Sequence, residues 1–379
     1  MSASLKVPEA DGGLGRAPGV RPTKPVPTQA AGVPVMQTRG PRRLPLERYL
    51  QGVLGGDRMI LARAITVIES NLPADGELAA RLLDAVLPHT GHALRVGITG
   101  VPGVGKSTFI DALGMHLIRD RGENVAVLSV DPSSAISRGS ILGDKTRMER
   151  LAVEDRAFIR PSPSQGHLGG VARRTRETIL LCEAAGYRNI LVETVGVGQS
   201  ETAVRSMTDF FLLLMLAGAG DELQGMKRGI IEMLDGMAIN KADGDNKPKA
   251  ERARIEYAGA LHLFPASADG WTPRVLTCSS VAKEGIAEVW RMVLDHRELL
   301  EGNGFLAQLR NLQALQWMNE LTMLGLEELF RRDRAVAERL PLLREEVHGG
   351  RMTPFAAARQ LLALFHPQPT DDPSRKETL

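Results

Sequence analysis

A glycine-rich segment between an apolar run and a helical pattern constrains this chain more than any other feature. It reads Gly100-Val-Pro-Gly-Val-Gly105-Lys106-Ser107 and fits the pattern Gly-x-x-x-x-Gly-Lys-Ser/Thr. The glycines let successive backbone N–H groups turn inward, and the N-terminus of the following helix adds partial positive charge. The segment predicts a phosphate-binding loop in which Lys106 reaches the β- and γ-phosphates and Ser107 binds Mg²⁺. The predicted loop residues are Gly100, Val101, Pro102, Gly103, Val104, Gly105, Lys106, Ser107 and Thr108.

Short apolar runs alternate with longer helical patterns between residues 93 and 301. Strands that are apolar along their length and joined by helices are typical of a mostly parallel sheet with helices on both faces. We therefore predict an α/β domain over 93–301, with ligands at the carboxyl ends of its strands. The predicted strands are 94–99, 125–130, 157–160, 189–193, 210–216, 236–239 and 275–277, and the helices between them include 106–121, 170–185, 248–261 and 286–300.

The flanking segments have other patterns. Residues 1–43 are rich in Pro and Gly and predict a disordered tail. Its basic excess leaves an organelle-targeting role open, although its acids and prolines are unusual for one. The pattern over residues 44–92 predicts an N-terminal helical segment. Residues 367–379 are predicted to form a second tail.

Residues 302–366 predict a helical C-terminal extension. Apolar residues recur there at helical spacing, and Thr353-Pro354 is typical of a helix start. Helices this apolar must bury against something. The pattern leaves open whether they dock on the chain's own main domain or on a second subunit. The repeating residues are Phe305, Leu309, Leu312, Leu315, Met318 and Leu321.

Composition narrows the functional classes. With 43% hydrophobic and 24% charged residues and a net charge of +2, the chain has no basic excess for nucleic acid. No apolar run reaches the ~18 residues of a spanning helix, and no secretory signal is visible. Cys182 and Cys278 lie in apolar or small-residue surroundings and predict reduced interior thiols. We expect a cytoplasmic protein that contacts neither membrane nor nucleic acid.

A second motif, Asn240-Lys241-Ala242-Asp243, follows a predicted strand. The Asp carboxylate can accept two hydrogen bonds from guanine, whereas adenine would leave this acceptor unpaired at a cost. Asn240 would tie the segment to the phosphate loop, and the Lys241 stem would cover the base. Together the two motifs predict a GTPase.

The segment Ser279-Ser280-Val281 follows the last predicted strand. GTPases carry a base-binding loop of Ser-Ala type at this place. Ser280 departs from the usual Ala, so the position indicates a base-binding loop more strongly than the residue pattern does.

Glu193-Thr194-Val195-Gly196 ends another predicted strand, where GTPases usually have Asp-x-x-Gly. The acid would orient Mg²⁺ and its waters, and the Gly196 N–H would contact the γ-phosphate. The next residue, Val197, cannot orient water as the Gln of Ras-like proteins does. We therefore expect slow intrinsic hydrolysis that needs help from elsewhere.

Two polar loops contribute further candidates. Asp131 and Asp144 flank a segment that γ-phosphate and Mg²⁺ could order, and a plain helix-capping role stays open for either. Lys227 lies in the glycine-rich segment 218–227 and could reach the nucleotide when that loop closes.

Taken together, these segments resemble the methylmalonyl-CoA mutase-associated GTPases, the MeaB, ArgK and MMAA proteins of the SIMIBI class. The resemblance runs from about residue 46 to 366. It is carried by the segments GITGVPGVGKST, VDPSS, GSILGDKTRM, IRPSPSQGHLGGVA, ILVETVGVGQSE, GAGDELQGMKRGI and NKAD.

The resemblance implies a homodimer formed largely through the C-terminal helical extension. It also implies a chaperone of an adenosylcobalamin-dependent acyl-CoA mutase. In this family GTP binding and hydrolysis gate cofactor delivery and the ejection of damaged cofactor, and the mutase accelerates hydrolysis. The implied catalytic residues are Lys106, Asp131, Asp144, Glu193 and Lys227, and the implied Mg²⁺ ligands are Ser107, Asp131, Asp144 and Glu193.

Two alternative functions share parts of this sequence pattern. A nickel- or cobalt-type metallochaperone GTPase shares the class but needs soft ligands, and the two cysteines are far apart in sequence. A protein kinase of a transport-binding protein would need a kinase catalytic loop or Asp-Phe-Gly segment, which the sequence lacks. The sequence leaves open whether the client is methylmalonyl-, ethylmalonyl- or isobutyryl-CoA mutase.

Overall fold

The computed structural model describes residues 43–130, 148–161, 168–194, 200–218, 228–264 and 267–365. Seven strands in this part of the chain form one sheet in the order β3-β2-β4-β1-β5-β6-β7, and all neighbours are parallel. The strands are β1 Leu94–Gly100, β2 Val125–Val130, β3 Ala157–Arg160, β4 Asn189–Thr194, β5 Phe210–Leu216, β6 Gly236–Asn240 and β7 Arg274–Thr277. The sequence prediction of a parallel α/β fold is confirmed, with each strand end within one residue.

Burial explains why these runs become strands. β2 and β4 are buried at every residue, and so is β5 up to its last one. A parallel strand covered by helices on both faces has no solvent side, which favours a continuous apolar run over alternation. β1 lies between β4 and β5, so the loop that follows it starts in the middle of the sheet.

The described ranges also contain thirteen α-helices. α10 packs on β5, β6 and β7 and also on α4, whereas α2 and α3 pack on α6. The helices are α1 Leu46–Leu54, α2 Arg58–Glu69, α3 Pro73–Val86, α4 Lys106–Arg119, α5 Glu149–Ala152, α6 Leu168–Ala184, α7 Ser200–Arg205, α8 Arg228–Met233, α9 Lys247–Leu261, α10 Ile286–Gly302, α11 Phe305–Arg332, α12 Arg334–His348 and α13 Pro354–Leu364.

The N-terminal helices follow from their sequence signals. Asp57 caps α2 by accepting hydrogen bonds from the N–H groups of Met59 and Ile60. Pro73 occupies the first turn of α3, where its missing N–H has no cost. Leu61, Ala64, Ile65 and Ile68 of α2 are buried in the core, so this predicted helical segment is part of the main body.

The long helix α11 has two different faces. It contains 28 residues and is therefore roughly 42 Å long. One face lies on the body, where Arg310, Gln313 and Glu320 bond to groups near the sheet. The opposite face carries six apolar residues that are 48% to 66% exposed: Leu312, Leu315, Met318, Met323, Leu326 and Leu329.

This arrangement bears on a question that the sequence left open. Leu312, Leu315 and Met318 do not dock on the chain's own main domain, because polar residues on the other side of the helix make the docking contacts. The second helix-start signal is confirmed, since Thr353 caps α13 by accepting from the Ala356 N–H. None of the helices in the described ranges combines the length and apolar character needed to cross a bilayer.

Candidate nucleotide-binding site

The carboxyl ends of four strands bring the predicted motifs together at one edge of the sheet. β1 leads into the glycine-rich loop, β4 ends with Glu193 and Thr194, and β6 ends at Asn240. β7 is followed directly by Cys278 and Ser279. Parallel strands place these groups side by side although they are up to about 180 residues apart in sequence.

Close packing explains the glycines at both ends of the loop. A Cβ on Gly100 would lie 2.4 Å from the backbone oxygen of Leu214 on the neighbouring strand. Gly105 has φ +92°, and a Cβ there would lie 3.2 Å from the Asn240 side-chain nitrogen. A larger residue at position 100 would displace the Leu214 backbone, and one at position 105 would be strained and would press on Asn240, so both positions require glycine.

The residues after the loop form the phosphate and metal end of the site. The Lys106 ammonium donates to the Gly100 carbonyl at 2.8 Å, which folds its side chain back over the loop. The Ser107 hydroxyl donates to a carboxylate oxygen of Glu193 at 3.1 Å. Glu193 is buried, so its carboxylate is held beside the first turn of α4. Thr108 is exposed.

A hydrogen bond between two threonine hydroxyls stabilises the strands next to the phosphate and metal end of the site. Thr194 donates to the Thr99 hydroxyl at 2.9 Å, and both side chains are buried. This bond joins β4 to β1 where the acid motif and the phosphate loop begin. Sequence reasoning did not identify either threonine as part of the support.

The guanine motif is tied to the phosphate loop by two side chains. The Asn240 amide nitrogen donates to the Val104 carbonyl at 2.9 Å, as the sequence predicts for this residue. Lys241, with φ +59°, donates to the Gly103 carbonyl at 2.8 Å. Its exposed side chain therefore lies across the top of the loop.

The segment after β7 positions the Asp243 carboxylate, which the sequence predicts to recognise the base. The Ser279 hydroxyl accepts from the Ala282 N–H at 3.0 Å and donates to the Asp243 carboxylate. Ser280 is buried and bonds to Asn240 through both its N–H and its hydroxyl. Val281 is 78% exposed.

Comparisons with known proteins identify the family. The family model described as methylmalonyl-CoA mutase-associated GTPase MeaB matches residues 61–335. The chain belongs to this family.

Individual relatives agree with the family match. GTPase ArgK of Escherichia coli K12 is 53% identical over 267 residues, which cover 70% of this chain and 80% of that protein. The mouse protein named methylmalonic aciduria type A homolog, mitochondrial, is 44% identical over 330 residues, covering 84% of this chain and 79% of that one. This MeaB-family chain is a GTPase.

A solved structure shares the fold. The crystal structure of a protein named LAO/AO transport system kinase superposes with a TM-score of 0.66 at 40% identity. The alignment covers 84% of this chain and 96% of that one. This MeaB-family chain therefore shares its fold with that solved structure.

Four predicted residues of this MeaB-family GTPase lie outside the described residues: Asp131, Asp144, Gly196 and Lys227. Their roles stay predictions. The remaining candidates are gathered at one edge, from the phosphate loop through Glu193 to the guanine motif and Ser279-Ser280.

Oxygen donors beside the loop fit a magnesium ion. Mg²⁺ binds proteins through oxygen ligands, commonly one or two carboxylates with the nucleotide phosphates. Ser107 and Glu193 supply a hydroxyl and a carboxylate within hydrogen-bond distance of each other. Ser107 and Glu193 are the two predicted Mg²⁺ ligands that lie within the described residues.

Cys278 is the site residue that the sequence identified only as an interior thiol. It is free and buried, as predicted, and burial raises the pKa of its thiol to about 12. Its sulfur lies 3.7 Å from the Asn240 side-chain oxygen, which makes it a weak donor to the guanine motif. Its position directly before Ser279 was the one signal available for this role.

Proposed function

We propose that this MeaB-family GTPase is a GTP-hydrolysing chaperone of an adenosylcobalamin-dependent acyl-CoA mutase, with methylmalonyl-CoA mutase as the client. GTP binding and hydrolysis would gate cofactor loading, protection and reactivation of the mutase. The observation that carries the proposal is the match to a mutase-associated GTPase family over residues 61–335. The mouse relative's name, which refers to methylmalonic aciduria, supports the same client.

The described site suits the chemistry of GTP hydrolysis. Backbone N–H groups from Gly100 to Thr108 and the start of α4 would hold the phosphates, and Lys106 would leave the Gly100 carbonyl to bind them. Ser107 and Glu193 would hold Mg²⁺, which neutralises charge on the phosphates when bound. Asp243, Asn240, Lys241 and the 279–281 segment would bind guanine.

Hydrolysis should be slow without the mutase. Val197 stands where Ras-like GTPases have a water-orienting Gln, and an aliphatic side chain cannot hold the attacking water. A group supplied or positioned by the partner would complete the site. The mutase would then act both as client and as activator.

A direct test combines binding and catalysis. Purified chain is mixed with methylmalonyl-CoA mutase in the presence of GDP or a non-hydrolysable GTP analogue, and complex formation is followed by size-exclusion chromatography. Phosphate release from GTP is measured with and without the mutase, using Lys106→Ala as the inactive control. We expect a complex and faster hydrolysis. GTP turnover with neither complex nor acceleration would leave the GTPase in place and remove the mutase as its client.

We also propose that the exposed face of α11 binds a second copy of the chain. Six large apolar residues lie on that face, directly opposite the residues that anchor the helix to the body. Exposed apolar residues that share one face of a helix often mark an interface. Because the helix has 28 residues, two antiparallel or crossed copies could cover each other's apolar residues over several turns.

Light scattering tests the dimer. The wild type should have twice the chain mass of 41.1 kDa. The double variant Leu315→Asp/Leu326→Asp should have the monomer mass, because burying two unpaired carboxylates opposes association. Val153→Asp places the same charge at an exposed apolar residue after α5 and should remain dimeric. A dimer in the double variant would exclude this face.

The alternatives receive less support. Within the described ranges, no group of three or more His, Cys, Asp or Glu residues could hold a metal ion, which the metallochaperone hypothesis would need. The name of the solved relative describes a kinase, but this sequence has no kinase catalytic loop. A mutase chaperone acts where its client is, which places this chain in the cytoplasm of a bacterium or the mitochondrial matrix of a eukaryote.

A further inference from the structure

Three hydrogen-bond donors converge on one oxygen of the guanine motif. The Asn240 side-chain oxygen accepts from the Ser280 N–H at 3.1 Å and from the Ser280 hydroxyl at 2.9 Å. The Cys278 thiol lies 3.7 Å from the same oxygen. An amide oxygen can only accept, so the direction of all three bonds is determined.

The nitrogen of the same amide faces an acceptor. It donates to the Val104 carbonyl at 2.9 Å, on the phosphate loop. A rotation of the amide by 180° would place the oxygen against that carbonyl and the nitrogen against three donors. Asn240, Cys278 and Ser280 are at most 3% exposed, so water cannot compensate for the lost bonds.

The Cys278 thiol keeps its proton at neutral pH. Burial raises its pKa to about 12, so the sulfur stays a donor rather than a thiolate that would repel the amide oxygen. Sulfur is a weak donor, however, and the Ser280 hydroxyl is therefore the strongest side-chain constraint on the amide.

An amide nitrogen carries two N–H groups, and only one is used by Val104. N7 of the purine five-membered ring is an acceptor of the kind that the second N–H needs. We propose that Ser280 is a positioning residue for purine recognition. Its hydroxyl holds the Asn240 amide so that one N–H donates to Val104 and the other donates to N7.

This role accounts for the departure from Ala at position 280. Alanine would supply the backbone N–H but not the hydroxyl, and the amide would lose one of its two strong donors. Ser280 therefore acts through Asn240, whereas Ser279 acts through the Asp243 carboxylate. The inference rests on the proposal that this pocket holds guanine.

The pair GTP and 7-deaza-GTP tests it, because the second nucleotide has a C–H in place of N7. Dissociation constants are measured for both nucleotides by competition against a fluorescent GDP. The wild type should prefer GTP about tenfold, the value of one hydrogen bond. Ser280→Ala should reduce this preference to about threefold or less. Ser280→Thr, which keeps a hydroxyl, should restore the preference.

Ser279→Ala is the matched control. It removes a hydroxyl from the neighbouring residue and should weaken both nucleotides by the same factor, which leaves their ratio unchanged. Thermal unfolding of each variant separates a local effect from loss of the fold. An unchanged ratio in folded Ser280→Ala, or a wild type without preference for GTP over 7-deaza-GTP, would overturn the inference. A wild type that does not bind GTP would instead overturn the guanine site itself.

Discussion

The two edges of the sheet use buried polar residues in different ways. At the carboxyl edge, Glu193, Asn240 and Asp243 bond to the phosphate loop and to hydroxyls beside the predicted ligand positions. At the amino edge, Asp209 receives both the Arg95 N–H and the guanidinium of Arg310 from α11. One edge presents groups suited to a ligand, and the other uses its charges to hold the chain's own elements together.

The pairing at the amino edge extends beyond one residue. Arg95 pairs with Glu183 at 2.8 Å, and Arg205 pairs with Asp235 at 2.9 Å. Breaking such a pair leaves a buried charge without compensation, which is costly even where the intact pair contributes little. A buried acid is therefore not evidence of a ligand site until its partners are known. Substitutions at the two edges should have separable effects.

The largest expected effect is at the carboxyl edge. Lys106→Ala should lower kcat for GTP hydrolysis by about 100- to 1,000-fold, because it removes a positioned charge from the transferred phosphate. The free energy of unfolding should change little, since this ammonium is half-buried and bonds to a loop carbonyl. Phosphate release at saturating GTP and urea unfolding measure the two quantities.

Lys249→Ala is the control for charge alone, because Lys249 is exposed on α9. It should keep wild-type turnover. Retained hydrolysis in Lys106→Ala would remove this residue from the mechanism.

The next effect is at the amino edge and should appear in stability. Arg310→Ala should lower the free energy of unfolding by about 3 kcal/mol, because it leaves the buried Asp209 carboxylate without its cation. GTP affinity should stay within about twofold of wild type, since Arg310 bonds to groups at the amino ends of the strands and the nucleotide motifs lie at the carboxyl ends. Urea unfolding and nucleotide titration provide the test.

Arg331→Ala removes an exposed ion pair with Glu327 on the same helix and should cost at most about 0.5 kcal/mol. If Arg310→Ala were no more destabilising than this control, the anchoring role of Arg310 would be wrong.

A third effect concerns the identity of the base. Asp243→Asn should weaken GTP by about 100-fold, because the amide places a donor opposite a donor of guanine. Xanthine nucleotides, which carry an acceptor at that position, should bind more tightly than to wild type. Competition between GTP and XTP measures both changes, and an unchanged GTP affinity would contradict the guanine assignment.

The smallest effect is a pH dependence at the amino edge. Burial lowers the pKa of His296 from 6.5 to about 4, so the unfolded chain takes up this proton first and stability is lost as the pH falls from 6.5 toward 4. Between pH 7 and 5 the wild type should lose about 2 kcal/mol relative to His296→Phe, which keeps the aromatic contacts with Phe210 and Trp271.

Protonation of Asp235 should change the stability of the fold in the opposite direction. Burial raises its pKa from 3.8 to about 6, so the folded chain holds this proton first and acidification through that range adds stability. Asp235→Asn should therefore make the acid loss steeper than in wild type, by about 1 kcal/mol between pH 7 and 5. Urea unfolding at pH 7 and pH 5 measures the stability lost on acidification in wild type, His296→Phe and Asp235→Asn. An equal loss in all three proteins would contradict both pKa shifts.

Much of the fold and site could be predicted because the signals are local. A short apolar run such as Phe210–Leu216 is typical of a strand buried on both faces, and Gly-Lys-Ser after a strand has one common structural context. The guanine motif could be placed for the same reason. Loop contributions at Asp131, Asp144 and Lys227 rest on the loop patterns and the resemblance, and they stay predictions.

The role of Ser280 could not be read in this way. Its hydroxyl matters through Asn240, which is 40 residues away, and through the Val104 carbonyl on the phosphate loop. Helical periodicity likewise left open what Leu312 and Leu315 pack against, because it detects apolar residues but not which face of a helix meets the body.

The sequence by itself determined which segments form strands and helices and which strand ends carry phosphate and guanine chemistry, because these properties depend on neighbours within a few residues. Only the tertiary structure decided which buried charges are already paired and which apolar face of α11 remains uncovered. The contact of Arg310 with Asp209 spans 101 residues. Such pairings follow from how whole elements dock, a relation that no local pattern contains.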